Sequence, residues 1–392
     1  MVRGALGVCV FCVLCGGAAA LAQEPSAPRT VSPEQLKAAI DKLGDLDYDT
    51  RTAASRTVRR VPGTQAVPAL LQAVAEHADG YVRYRALVLL TGFNDPRTRD
   101  AMRESLASPN DRLRTVAYSF FEHNPDRALL PELLAALDKE LAEFVRPALV
   151  RALAALGSDP RVQQALIREA GRGHDFFRSA VIEALGDYKA QYAFDAVTAI
   201  AKLDGPLQED AALSLGKIGD KRGLETLAAL QQSAPRTRQP SVAAAICLLG
   251  VNCGSHEGYL IDTLKFADEN PGFQDLLRAA AAGLGALAVA GRAESASALF
   301  DVGIPSRDPT RSPVALALGM IALRNTPLML SMLEKRPDRA AAIALLAEGF
   351  DMLEEDLDKE RFFSLARRTY WESAEGSATR DLMQTLIGKL DF

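Results

Sequence analysis

From about residue 34 onward the chain alternates stretches in which apolar residues recur at helical spacing with short polar turns, the pattern of amphipathic helices joined as hairpins. Between Phe144 and Leu156 the positions Leu149, Ala152, Leu153 and Leu156 share one helical face. Gly157-Ser158-Asp159-Pro160 then turns the chain, and Val162 to Ala170 forms a second helix. The first-helix ending, a small residue followed by Leu and Gly, recurs as Ala155-Leu156-Gly157, Ala184-Leu185-Gly186, Ser214-Leu215-Gly216, Leu248-Leu249-Gly250, Gly283-Leu284-Gly285 and Ala317-Leu318-Gly319. Gly63, Gly92 and Gly349 extend the ladder, with Asn124 in the place of one glycine, to give ten repeats with a mean period of about 32 residues. Gly and Asn are expected there to end each helix in a left-handed backbone. Asp95, Asp159 and Asp220, in the turns, are expected to cap the helix that follows. A lone hairpin cannot bury its apolar face, so successive hairpins must stack into a solenoid.

The pattern of Arg and Ala early in the first helix, A-L-G at its end, and Gly-Asp or Asp-Pro-Arg before the second resembles the HEAT repeat family, especially the short bacterial subtype first noted in phycobilin lyases. Arg146 to Leu166 and Asp210 to Leu230 show it best. The resemblance covers roughly residues 45 to 350. After Asn252 the longer intervals and the spacing from Ala293 to Phe300 equally fit tetratricopeptide repeats. Either family implies an all-α fold, a right-handed α-solenoid of about ten two-helix repeats. The expected organisation is a signal peptide over 1–22, a flexible linker over 23–33, the solenoid over 34–352 and a C-terminal helical cap over 353–392, where the amphipathic pattern persists without the period.

The first 22 residues combine Arg3, an apolar run from Ala5 to Leu14 and a small-residue stretch ending Ala20-Leu21-Ala22, which reads as a secretory signal peptide; the alternative is an uncleaved anchor. Cleavage removes Cys9, Cys12 and Cys15 and leaves Cys247 and Cys253. These two flank Gly250 and are placed to form a disulfide, the alternative being two thiols. With 34 Arg against 11 Lys and heavy use of Ala, the composition is that of a GC-rich bacterial genome, so the expected compartment is periplasmic or extracellular.

Charge excludes one large class of partner. The mature chain has net charge −6, so nucleic acid is not an expected ligand, and this sets aside the DNA glycosylases built on HEAT-like repeats. The bilin lyase activity that the family resemblance suggests belongs to the cytosol and conflicts with an exported chain. No G-x-S-x-G, phosphate-binding glycine loop or Cys-His pairing is present, so no catalytic residue, cofactor or metal is implied. The four histidines each neighbour an acid, an arrangement similar to the iron-binding His-Glu pairs of deoxyhypusine hydroxylase. Only His256-Glu257 has that order, and His77, His123 and His174 fall at different repeat positions. The acidic run Asp351 to Glu360 has helical apolar spacing and reads as a solvated face.

Arg83, Arg114, Arg146 and Arg178, early in first helices, could form an anion-binding stripe; the family resemblance implies instead that they bond turn aspartates of neighbouring repeats and hold the stack in register. In the pairs Phe120-Phe121, Phe176-Phe177 and Phe362-Phe363, one ring is expected in the core and the other near a groove. The function these observations suggest is a non-enzymatic exported scaffold that binds a protein or extended peptide and is not inserted in a membrane after cleavage. Its partner-binding residues are expected on a concave face made by second helices: Arg99, Arg103, Glu132, Gln164, Arg168, Phe194 and Thr198. The alternatives are an accessory protein binding cell-wall glycan or a small ligand, and an enzyme of unrecognised type.

Overall fold

The computed structural model describes residues 29–353 and 356–392. The segment expected to be a signal peptide, with its three cysteines, and the first part of the expected linker lie outside the described residues. Among those described there are 22 α-helices and no strand. Helix α1 (Pro33–Asp41) precedes ten hairpins: α2 (Tyr48–Arg59) with α3 (Gly63–Glu76), α4 (Gly80–Leu90) with α5 (Arg97–Ser105), α6 (Asp111–His123) with α7 (Leu130–Lys139), α8 (Arg146–Ala154) with α9 (Pro160–Ala170), and α10 (Asp175–Asp187) with α11 (Phe194–Ala201). They continue as α12 (Gln208–Ile218) with α13 (Gly223–Ser233), α14 (Gln239–Leu248) with α15 (Cys253–Glu269), α16 (Gln274–Val289) with α17 (Ala293–Gly303), α18 (Arg311–Arg324) with α19 (Thr326–Lys335), and α20 (Arg339–Met352) with α21 (Asp356–Glu372). Helix α22 (Ala378–Leu390) ends the chain's helical part. The fold is an all-α solenoid.

Local chemistry starts the second helices. Asp95, Asp159 and Asp220 each accept the backbone N–H of the residue two positions on, all at 2.9 Å. The arginine at that position, Arg97, Arg161 or Arg222, folds its guanidinium back onto the same carboxylate. Of the arginines early in first helices, Arg114 pairs with an acid of a turn, Glu140 at 2.7 Å, while others do something different from what the sequence suggested. Arg83 donates to the Val74 carbonyl at 2.7 Å, Arg178 to Ala170 at 3.0 Å and Arg339 to Leu333 at 3.1 Å. Each carbonyl belongs to the last turns of the preceding second helix, where acceptors are left unpaired and a cation is favoured. Arg146 instead lies over the Phe177 ring, 3.5 Å from its centroid.

The glycine ladder also has another cause. Gly186, Gly216, Gly285, Gly319 and Gly349 sit inside first helices, and of the ladder positions only Gly250 has a left-handed backbone, φ +78°. Asn124 has φ −128°. A Cβ at Gly216 would stand 2.5 Å from the Ala245 Cα, and one at Gly349 would stand 2.2 Å from the Ala315 carbonyl oxygen. The ladder therefore marks where consecutive first helices touch backbone to backbone. A row of helices that packs this closely occupies the smaller radius, so first helices form the inner wall and second helices the outer one.

The chain closes on itself. Helix α21 packs against α4 and α6, and Leu357 joins the buried core of the N-terminal half. Arg59 on α2 bonds Glu360 at 2.7 Å, and Arg85 and Tyr84 on α4 both bond Asp356. Arg56 pairs with Asp391 near the chain's end, and the Ser364 hydroxyl donates to the Gly92 carbonyl. The acidic run read as a solvated face is thus the clasp of the ring, with Asp358 8% and Glu360 2% exposed.

Candidate functional site

The ring encloses a lumen of about 890 Å³ lined from α6, α8, α10, α12, α16, α18, α20 and α21. Its two sides differ chemically. Helix α16 contributes Ala282, Ala286 and Val289, and α18 contributes Leu316, Met320 and Leu323, each set spaced to form one stripe. The facing wall carries a charged network from the ends of α6, α8, α10 and α12.

Glu122 is its centre. Its Oε1 accepts from Arg151 Nε at 2.8 Å and from the Tyr188 hydroxyl at 3.0 Å, while Arg324 approaches to 3.5 Å. Arg151 also reaches Asp187 at 2.9 Å, and Lys217 bonds the other oxygen of Asp187 at 2.7 Å. Beside this network His123 Nε2 lies 2.7 Å from Asp358, which Arg361 bonds at 3.0 Å. Burial pushes the Asp358 carboxyl up, but His123, Arg324 and Arg361 outweigh it and hold it at about 2. Burial and then the Glu122 carboxylate raise the Tyr188 phenol well above its ordinary value, so its hydroxyl stays a donor. Burial also raises Asp187, yet Lys217 and Arg151 leave it below the usual carboxylate range.

A second surface stands out on the edge where second helices lead into the next first helix. Leu141 is 90% exposed, Phe144 81%, Phe176 51% and Leu203 63%. They belong to the loops or first turns before α8, α10 and α12. Phe144 and Phe176 meet edge to face with ring centroids 6.2 Å apart, which joins two consecutive repeats. Phe177 is buried where Phe176 is not, and Phe121 is buried while Phe120 is half-buried.

The residues expected to bind a partner are not gathered at either place. Arg99, Arg103, Glu132, Gln164 and Arg168 are exposed, but α5, α7 and α9 belong to the outer row, so no concave face collects them. Arg99 is engaged with Asp126 at 2.8 Å. Arg168 bonds Glu169, which is fully buried and also held by Arg172. Phe194 is 6% exposed, packed in the core under Arg222. The Thr198 hydroxyl is buried without a hydrogen-bond partner. Helical phase alone puts both α11 positions on an open stripe, but the short helix is rotated so that they face inward. Cys247 and Cys253 are joined as a disulfide, Cα atoms 4.1 Å apart. His77 ends α3 near Asp41, His174 precedes α10 and His256 lies in the first turn of α15. Among the described residues no group of three or more His, Cys, Asp or Glu is placed to hold a metal ion, and no single helix is long and apolar enough to cross a membrane.

The family model of HEAT repeats matches residues 36–120, the segment from α1 through α6. That segment carries HEAT repeats. The HEAT hairpins are similar to solved structures that include the CpcE–CpcF complex of phycocyanin lyase from Nostoc sp. PCC7120, 20% identical with a TM-score of 0.35 over 56% of this chain and 88% of that one. Kap95p in its complex with RanGDP is 13% identical with a TM-score of 0.39, over 92% of this chain and 56% of that one. Kap121p bound to Ste12p is 14% identical with a TM-score of 0.42, over 91% of this chain and 45% of that one. No curated protein matches the chain in sequence.

Proposed function

We propose that this protein is a non-catalytic binding scaffold that acts outside the cytoplasm and docks a protein partner on its apolar loop edge. The observation that carries the reading is the Phe144–Phe176 pair, two large rings in contact across a repeat boundary and both open to water. Exposed apolar side chains grouped in this way mark interaction sites, and aromatic anchors tend to dominate an interface while their neighbours exclude water. Leu141 and Leu203 extend the patch to either side. Export through residues 1–22, with cleavage before Gln23, is part of the same reading, and the Cys247–Cys253 disulfide supports an oxidising compartment.

The test is a photo-crosslinking residue placed in turn at positions 144, 176, 103 and 168 in living cells. Adducts of one defined protein from 144 and 176 and none from 103 and 168 support the edge assignment. Adducts from the outer helices alone would discard it. The N-terminal mass of the same purified material, beginning at Gln23 or at Met1, decides whether the leader is removed.

A further inference from the structure

The lumen is lined for a different kind of ligand from the loop edge. The apolar stripe of α18 runs from Leu316 to Leu323, about 10 Å along the helix axis, the length of a medium aliphatic chain. Leu316 is 40% exposed, so the stripe is open to the cavity and not filled by neighbouring side chains. Arg324 follows the stripe directly. It forms no hydrogen bond among the described residues, because the Glu122 oxygen it faces, 3.5 Å away, already takes Arg151 and Tyr188. Arg361 stands beside it, 49% exposed, with one bond among the described residues, to Asp358, and both cations act on that carboxylate.

The acids of the charged wall are mostly occupied. Glu122 and Asp187 each hold two donors, and Asp358 holds His123 and Arg361. Glu183, one turn before Asp187 on α10, forms no hydrogen bond among the described residues and lies within the field of Arg151. At the other end of the apolar wall, Arg278 is bonded to Asp275 of its own helix. Among the described residues Arg324 is therefore the lumen guanidinium without a hydrogen bond, and Arg361, tied like Arg278 to one carboxylate of its own helix, lies at the same end of the stripe.

We infer that the lumen binds an anionic amphiphile, a medium-chain carboxylate whose head group is held by Arg324 and Arg361 and whose chain lies along Leu316, Met320 and the α16 alanines. The carboxylate supplies the acceptors that Arg324 lacks, with charge-assisted geometry, and the chain covers the stripe. No bond is made or broken, and the site is separate from the loop edge.

Calorimetric titration of the full mature protein with dodecanoate, dodecanol and dodecyltrimethylammonium, each below its micelle concentration, tests this. Dodecanoate is expected to bind about tenfold or more tighter than the other two, the value of one charge-assisted hydrogen bond. Arg324→Gln with Arg361→Gln should bring dodecanoate down to the affinity of dodecanol and leave dodecanol unchanged; L316E should weaken both. Should the double variant fail to fold, R361Q alone changes a half-exposed side chain and is expected to weaken dodecanoate selectively. Equal affinity for the three amphiphiles, preference for the cationic one, absence of dodecanoate binding, or full dodecanoate affinity in the arginine variants would overturn the inference. Phe144→Asp with Phe176→Asp should leave dodecanoate binding intact, which separates failure here from failure of the edge assignment.

Discussion

Arg59 on α2 and Glu360 on α21 stand 301 positions apart in sequence, yet they share three nitrogen–oxygen contacts of 2.7 to 3.1 Å with both side chains buried. A pair of this kind is costly to break on one side only, because the remaining charge has no water to return to. Arg59→Met is expected to lower unfolding free energy by about 3–5 kcal/mol, whereas R59M combined with E360M should be close to neutral. Urea unfolding of the three proteins checks it. Equal losses in the single and double variants would mean that the pair does not act as a unit.

The clasp should also weaken in acid. Asp358 is held at about 2 in the folded protein, against about 3.9 for an unfolded aspartate. A depressed carboxyl pKa contributes stability that is fully present above the unfolded value and is lost as pH falls through the folded one. Stability should therefore decline between about pH 4 and pH 2, with about 2–3 kcal/mol of the loss due to this group. Asp358→Asn should remove that part of the slope in denaturant titrations across the window.

Two helical glycines, one in the ladder and one outside it, predict opposite outcomes for the same substitution. Gly216→Ala places a methyl 2.5 Å from the Ala245 backbone and should destabilise by about 2 kcal/mol or more. Gly258, inside α15, has nothing within 4 Å of its added Cβ, so Gly258→Ala should stabilise by about 0.5–1 kcal/mol. Thermal melts of the two variants distinguish contact from conformation as the reason for these glycines.

Charge reversal on the outer row should divide by partner. Arg168→Glu sets a carboxylate beside the fully buried Glu169 and should cost about 1–3 kcal/mol. Arg103 forms no ion pair among the described residues and acts on Asp126 only through its field, so Arg103→Glu should cost no more than about 0.5 kcal/mol. The measurement is the midpoint of denaturant unfolding for each single variant.

Alkylation of the denatured, unreduced mature protein should modify neither Cys247 nor Cys253. The bridge closes a loop of sequence separation 6, so its reduction should lower stability by about 2 kcal/mol. Two modified thiols per chain would exclude the bond.

The repeat number and the hairpin anatomy were legible because each hairpin is built by local chemistry: periodic Leu and Ala, an aspartate at the turn, and a small residue at every helix contact. The glycines carried one further message that a conformational reading missed. Small residues concentrated in the first helices say which row lies inside, so the inner surface is made by first helices, and the second-helix residues expected to share a concave face lie on the outer row. Ring closure was not legible, since Glu360 looks like any carboxylate of a charged helix until Arg59 is brought against it. The lumen left a fainter trace. Glu122, Arg151, Asp187 and Lys217 alternate in sign, with pairing separations of 29, 36 and 30 residues, near the repeat period. Such alternation at repeat spacing predicts neighbouring helices that exchange ion pairs, and it singles out the charged wall without any motif.

Because α21 returns to α2 and α4, the number of hairpins is not free to drift. An open array accepts the duplication or loss of a unit at the cost of length alone. Here one unit more or fewer would carry Asp356, Asp358 and Glu360 past Arg85, His123 and Arg59 by a whole repeat's rotation and part each carboxylate from its partner. Copy number is thereby coupled to electrostatics, and the gene would have to change its two ends together whenever it changed its middle.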